Sequence, residues 1–253
     1  MRRGEEQLAI TASGLRKVYG PVVAVEGLDL AVPRGTVYGF LGPNGAGKTT
    51  TMGMLTTLVP PTAGTAAIVG VSIADREGVK PHVGYLPDEP PLYDEFTARE
   101  QLGFVADLRQ LEPEAAATRI DTLLDQVGLA DVADERIESY SRGTRQKVGL
   151  VQAMLHEPKV LFLDEPTSGL DPRAAREVLD LIDGLADGGT TVFLSSHALS
   201  VVEELADVVG VLHLGKLVAE GTPAELTQRV ADGERSLERV FLDLTADQSE
   251  VSV

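Results

Sequence analysis

Cysteine is absent from the 253-residue chain. That excludes a disulfide framework, a thiolate metal site and a cysteine nucleophile, and it suits a reducing compartment. Basic residues are scarce beside acidic ones, 22 Lys and Arg against 39 Asp and Glu, for a net charge of −17. Such a surface repels nucleic acid phosphates, so no nucleic-acid partner is expected. Apolar residues never run uninterrupted for the roughly eighteen positions that a membrane helix needs. The N-terminus, Met1-Arg2-Arg3-Gly4-Glu5-Glu6, lacks the apolar stretch of a signal peptide. The chain itself is therefore not expected to span a membrane. No internal repeat or low-complexity tract stands out.

Glycine, in contrast, is plentiful, and three of the 26 glycines fall in one short segment. Gly42-Pro43-Asn44-Gly45-Ala46-Gly47-Lys48-Thr49 follows the apolar run Val37 to Leu41, which reads as a buried strand. This is the spacing of a phosphate-binding loop. Glycines let the backbone turn tightly and aim its N–H groups at phosphate oxygens, and a helix starting near Gly47 adds its positive dipole end. Lys48 then reaches the β- and γ-phosphates, and the Thr49 hydroxyl supplies a hard oxygen to Mg²⁺. A nucleoside triphosphate with magnesium is the expected ligand pair.

The rest of the pattern places this loop in an α/β domain. Val22 to Ala24, Leu28 to Val32, Thr65 to Val69 and Val83 to Leu86 read as further strands, and a helix is predicted from Gly47 to about Leu58, ended by Pro60-Pro61. From about Glu95 to Gln126 apolar residues recur at helical spacing on either side of Pro113, which predicts a helical insertion. Strands return at Val160 to Leu163 and Thr190 to Leu194, with a helix from Pro172 to about Ala186 between them. Val208 to Leu214 and Lys216 to Ala219 read as a hairpin closed at Gly215, and the acidic stretch beyond Asp232 has weak core-forming power.

Asp164 and Glu165 stand at the C-terminal end of the Val160 strand, the edge where open α/β sheets bind ligands. Adjacent strand residues face opposite ways, so a turn is needed to bring both carboxylates to one site, and Pro166 is the expected source of it. Asp164 is assigned to Mg²⁺ through water, and Glu165 to orienting or deprotonating the attacking water.

In order along the chain, the phosphate loop, Tyr140-Ser141-Arg142-Gly143-Thr144, Asp164-Glu165, Ser168-Gly169-Leu170-Asp171 and Ser195-Ser196-His197 resemble the ATP-binding subunits of ABC transporters. The resemblance covers roughly residues 8 to 227. It implies a P-loop NTPase core with a small antiparallel β subdomain at the N-terminus and an inserted α-helical subdomain at about 89 to 157. Residues 1–227 would form the ATPase domain, and 228–253 an acidic tail. Ser141 and Gly143 match the family signature, usually Leu-Ser-Gly-Gly-Gln, whereas Tyr140, Arg142 and Thr144 depart from it. The resemblance implies that Ser141 and Gly143 cap the γ-phosphate of ATP held by another subunit, that Thr50 joins the nucleotide contacts, and that Tyr19 stacks on adenine. It further implies that His197 bridges the γ-phosphate and Glu165, and that Ser168 to Asp171 cross a dimer interface. Asp88 replaces the glutamine that the family usually sets against Mg²⁺; it still offers oxygen, but is shorter, charged and without amide donors. Glu89 to Tyr93 lie where the family touches its permease. Ser236 to Leu242 resemble a segment common at the ends of exporter-type subunits. His82, His156 and His213 match no family position and are read as structural.

The function expected is therefore ATP hydrolysis by a homodimer, or by a pair with another ATPase subunit, driving transport through separate transmembrane permease subunits. The chain would sit as a peripheral protein on the cytoplasmic face of the cell membrane. The alternative from another class, a soluble relative acting on ribosomes or nucleic acid, fits poorly with one phosphate loop, no sustained heptads and strong negative charge. A kinase or GTPase would share the loop, yet no Asn-Lys-x-Asp guanine motif is present.

Overall fold

The computed structural model describes residues 8–228 and 236–246. The chain opens with two long antiparallel strands, β1 (Leu8–Tyr19) and β2 (Val22–Pro33). The sequence predicts two short strands parted at Gly27 where β2 runs through, and it does not announce β1. Gly27 takes a left-handed φ of 66° near a register shift, so it makes a bulge instead of a turn. In β1 the buried Ile10, Ala12 and Leu15 are interleaved with Thr11, Ser13 and Arg16, and the bulge shifts the alternation midway. That blurs the period-two signal.

Strand β3 (Val37–Leu41) is buried throughout and leads into helix α1 (Lys48–Leu55). The helix stops short of the expected Leu58 because the Thr56 hydroxyl bonds back to the Met52 carbonyl at 2.8 Å and Thr57 turns left-handed at φ 64°. Next come β4 (Ala63–Ile68) and the short β5 (Val71–Ser72), joined through Val69 and Gly70, both at positive φ. The one-turn helix α2 (Arg76–Val79) follows, capped by Asp75, whose carboxylate accepts from the Gly78 N–H. These first strands form a four-stranded antiparallel sheet in the order β2-β1-β4-β5.

After β6 (Val83–Leu86) the chain enters the helical insertion, with α3 (Ala98–Leu108), α4 (Pro113–Gln126) and α5 (Arg142–Met154). Thr97 and Glu100 form a reciprocal capping box at the head of α3. Pro113 occupies the first turn of α4, where its missing N–H costs nothing. The core resumes with β7 (Val160–Asp164), α6 (Pro172–Asp187), β8 (Thr191–Ser196), α7 (Leu199–Leu205), β9 (Val208–His213) and β10 (Lys216–Gly221). Helices α8 (Pro223–Gln228) and α9 (Leu237–Ala246) end the described chain.

The second sheet has six strands in the order β10-β9-β3-β8-β7-β6, parallel except for β10. Both faces are covered, which is why β3, β7 and β8 are buried at every position. Tyr38, Phe40, Phe162 and Phe193 point to the face shared with the antiparallel sheet and α1. Tyr38 and Phe193 stack there at 5.1 Å. Val37, Leu161, Leu163, Val192 and Leu194 point to the opposite face, against the inserted helices and α6. A third apolar cluster joins β9, α7, α8 and α9, and in it Leu237 and Val240 are buried. The sequence gives the segment beyond Asp232 little core-forming power, yet its helix α9 contributes to this cluster; residues 229–235 and 247–253 lie outside the described residues.

Candidate functional site

The parallel strands end in register. Leu41 of β3 lies opposite Ser196 of β8, and Asp164 of β7 lies opposite Ser195. The phosphate loop after β3, Asp88 after β6, Asp164-Glu165 at the end of β7 and His197 after β8 therefore meet on one edge of the sheet, the carboxyl edge. A cavity of about 280 Å³ opens there, lined by loop residues from Pro43 to Thr50 and by Asp88, Asp164 and Glu165.

Gly47 caps α1 in a left-handed conformation, φ 109°, and a Cβ on it would lie 2.4 Å from the Ala24 carbonyl oxygen. Only glycine fits at that point. Of the expected loop contacts, Pro43, Asn44, Gly45, Gly47, Lys48, Thr49 and Thr50 line the cavity. Gly42 and Ala46 do not. The Ala46 side chain is buried in the apolar core beneath the loop, and its N–H donates to the Pro43 carbonyl at 3.1 Å.

Lys48 is nearly enclosed, with 6% of its surface exposed. Its Nζ donates to the Gly42 carbonyl at 2.6 Å and lies 3.2 Å from Glu165 Oε1. That carboxylate oxygen is buried and accepts no hydrogen bond, so the ion pair is its polar neighbour. The other oxygen, Glu165 Oε2, meets His197 Nδ1 at 2.8 Å and accepts from the His197 backbone N–H at 3.3 Å. Lys48, Glu165 and His197 thus form one continuous chain of polar contacts. Glu165 itself is left-handed, φ 50°, with its N–H donating to Ser195 Oγ at 3.2 Å. The turn that swings Glu165 toward Asp164's side lies in Glu165's own backbone, one residue before the expected Pro166. A glutamate held at positive φ stores strain at the point where the chemistry is expected.

Asp164 is 3% exposed, and its Oδ1 accepts from the Ser195 hydroxyl. Ser195 holds the Asp164 carboxylate while supporting the Glu165 backbone, a role invisible without strand register. Tyr85 is a second unforeseen neighbour; burial and then the Asp164 charge push its phenol up to about 12, so it stays protonated. The donor set fits magnesium. Asp164, Asp88 and Thr49 offer hard oxygens to one cavity, and among the described residues no group of three His, Cys, Asp or Glu stands ready to hold a metal alone. Such a set suits a Mg²⁺ that brings phosphate oxygens with it.

The remaining candidates lie apart from this cavity. Ser141 caps α5, accepting from the Thr144 N–H at 3.1 Å, and Gly143 lies in the helix's first turn against Ala174. Tyr140 anchors this segment by donating its hydroxyl to the Val132 carbonyl at 2.5 Å. Tyr19 ends β1, 47% exposed, with Lys17 Nζ 4.9 Å from its ring centre, and it does not line the cavity. His82 and His213 stand outside the site. His156 does too: its Nε2 lies 2.9 Å from the Val83 carbonyl, and burial, then the charge of Arg109, lower its pKa to about 4.

A family model described as ABC transporter matches residues 25–168. The daunorubicin resistance ATP-binding protein DrrA3 of Streptomyces coeruleorubidus is 43% identical over 219 residues, 86% of this chain and 69% of that one. The daunorubicin/doxorubicin resistance ATP-binding protein DrrA of Streptomyces peucetius is 41% identical, again over 86% of this chain, and 66% of its own length is matched. The chain thus spans about two thirds of both relatives. Among solved structures, one described as the ATP-binding subunit of an ABC transporter superposes with a TM-score of 0.84 at 30% identity, covering 93% of this chain and 99% of that one.

Proposed function

The chain belongs to the family of ABC transporter ATP-binding proteins, and from that premise we propose that it hydrolyses ATP as a head-to-tail dimer to drive export through separate membrane-spanning permeases. The observation that carries the reading is the contact chain Lys48–Glu165–His197 at the mouth of the phosphate loop. Lys48 and the loop amides bind the triphosphate. Glu165 Oε2 takes the proton of an attacking water, and His197, donating or accepting through its ring nitrogens, fixes that carboxylate's orientation. When bound, Mg²⁺ neutralises charge on the phosphates; Thr49 and Asp164 would hold it, with Asp88 at the rim.

Ser141 and Gly143 stand away from the cavity of their own chain, at the N-terminus of α5, and such a helix end favours an anion. A second copy docked in antiparallel fashion supplies that anion as the γ-phosphate of its own ATP. Tyr19, exposed at the end of β1, offers a flat face for adenine. The ATPase domain is residues 1–227, with 228–253 an acidic appendage from which α9 packs back onto β9.

Among the described residues no helix is long and apolar enough to cross a membrane. Permease subunits are therefore assigned to other chains, with this one peripheral on the cytoplasmic face. Beside Glu89 to Tyr93, the rings of Tyr93, Phe96 and Phe104 form an aromatic group with centroids 5.2 to 6.1 Å apart, and Tyr93 and Phe104 are exposed. This supports the segment as the permease contact. The drug-resistance names of the Streptomyces relatives support export, since resistance follows from moving a compound outward. The net charge of −17 stands against a nucleic-acid partner.

Purification from native membranes in mild detergent tests the proposal. A co-purifying multi-spanning protein is expected; ribosomal or nucleic-acid partners alone would overturn it.

A further inference from the structure

Asp88 and Arg142 are two of the places where this chain departs from the residues its family usually carries, and each departure adds a charge. The two charges meet. Arg142 Nη2 lies 3.5 Å from Asp88 Oδ1, although 54 residues separate them. The guanidinium also lies over the bare backbone of Gly169, where an added Cβ would come within 2.5 Å of Nη1. Arg145, one turn along α5, makes a second link by donating to Asp94 at 2.5 Å. The first turn of α5 therefore grips the segment from Asp88 to Asp94 at two points.

The electrostatics of the cavity give this pair a task. Among the described residues, Asp88, Asp164 and Glu165 line it together with a single cation, Lys48, and Lys48 already faces Glu165. A triphosphate entering there meets surplus negative charge, of which Asp88 is the most exposed source, its side chain 50% accessible. Arg142 brings a second cation to the rim through that carboxylate. Because the cation is planar and braced on Gly169, it limits the directions the carboxylate adopts.

We propose that Arg142 is a positioning residue for Asp88, offsetting the carboxylate's charge and fixing it at the cavity rim so that Asp88 serves the magnesium-bound nucleotide without repelling the phosphates. The inference rests on reading the cavity as the ATP site. Arg142 also follows Ser141 directly, so the pair joins the chain's own cavity to the helix end it offers a second copy.

Calorimetric binding of ATP, in EDTA and in Mg²⁺, to the full chain and its Arg142→Gln, Arg142→Lys, Asp88→Asn and double Arg142→Gln/Asp88→Asn variants tests this. For Arg142→Gln, magnesium-free ATP binding weakens about threefold at low salt, the scale of a half-exposed ion pair. The loss shrinks at high salt, where the bare carboxylate is screened. It is smaller with Mg²⁺, which the unpaired carboxylate attracts. Asp88→Asn in the same chain restores binding, because no charge is left to offset, and Arg142→Lys retains most of it. An Arg142→Gln loss that persists unchanged in the double variant, or is indifferent to salt, would overturn the proposal and leave Arg142 a structural residue. Failure of the wild-type chain to bind ATP, or wild-type binding by Lys48→Ala, would instead refute the ATP-site reading beneath it.

Discussion

Lys48 and Glu165 touch each other yet are assigned to different stages, so their substitutions should separate. Lys48→Ala removes charge-assisted bonds to phosphate and should weaken ATP binding by about 10- to 100-fold in equilibrium titration. Unchanged affinity would refute its placement. Glu165→Gln keeps the volume and the hydrogen bond to His197 while removing the base; steady-state phosphate release should fall by about 100-fold or more with ATP affinity retained. At the remote His156 the measurable quantity is stability. Its pKa in the fold is about 4 against an ordinary 6.5, so below pH 6.5 the unfolded chain takes up a proton that the fold refuses. Stability is present above about 6.5 and falls as pH drops toward 4, by about 1–2 kcal/mol once solvent screening at this half-buried site is counted. Urea midpoints at the two pH values should differ less in His156→Gln. Equal differences would show that His156 is not the group refused. At this scale the loop and Asp164-Glu165 were legible because phosphate chemistry demands particular residue types at short spacings, and His197 was legible through the family resemblance alone. The Ser195 hydroxyl on Asp164 and the Arg142–Asp88 pair were not, since both depend on contacts across 31 and 54 positions.

Among the elements, those that pack on both sides were plain in the sequence. Strands β3, β6 and β7 are short apolar runs, and the heads of α4 and α6 are marked by Pro113 and Pro172. Strand β1 was hidden by its bulge, and α7 is short, with only Val201 and Val202 buried. Helix α9 was obscured by the acidic composition around it, although Leu237 is fully buried against α7, α8 and β9. Tertiary contacts outweighed composition there. Leu237→Ala should cost about 2–4 kcal/mol of docking. Hydrogen exchange of amides 237–246 should accelerate by more than tenfold while those of β3 and β8 keep their protection. Unaltered protection in α9 would mean that its burial contributes little.

For the whole molecule, the order β10-β9-β3-β8-β7-β6 follows from long-range pairing and was not readable in advance, whereas the position of Asp164 and Glu165 at the carboxyl edge was. One chain brings together the phosphate loop, Asp164 and Glu165, with His197 held against Glu165, while Ser141 and Gly143 stand elsewhere on it. In the proposed function two chains related head-to-tail complete both sites. Light scattering on the Glu165→Gln variant, separated by gel filtration with and without Mg²⁺ and ATP, reads the head-to-tail pairing itself. With nucleotide the mass should double from 26.8 kDa, because ATP is held without being hydrolysed. A variant that binds ATP and remains at the monomer mass would rule out the nucleotide-sandwiched pair.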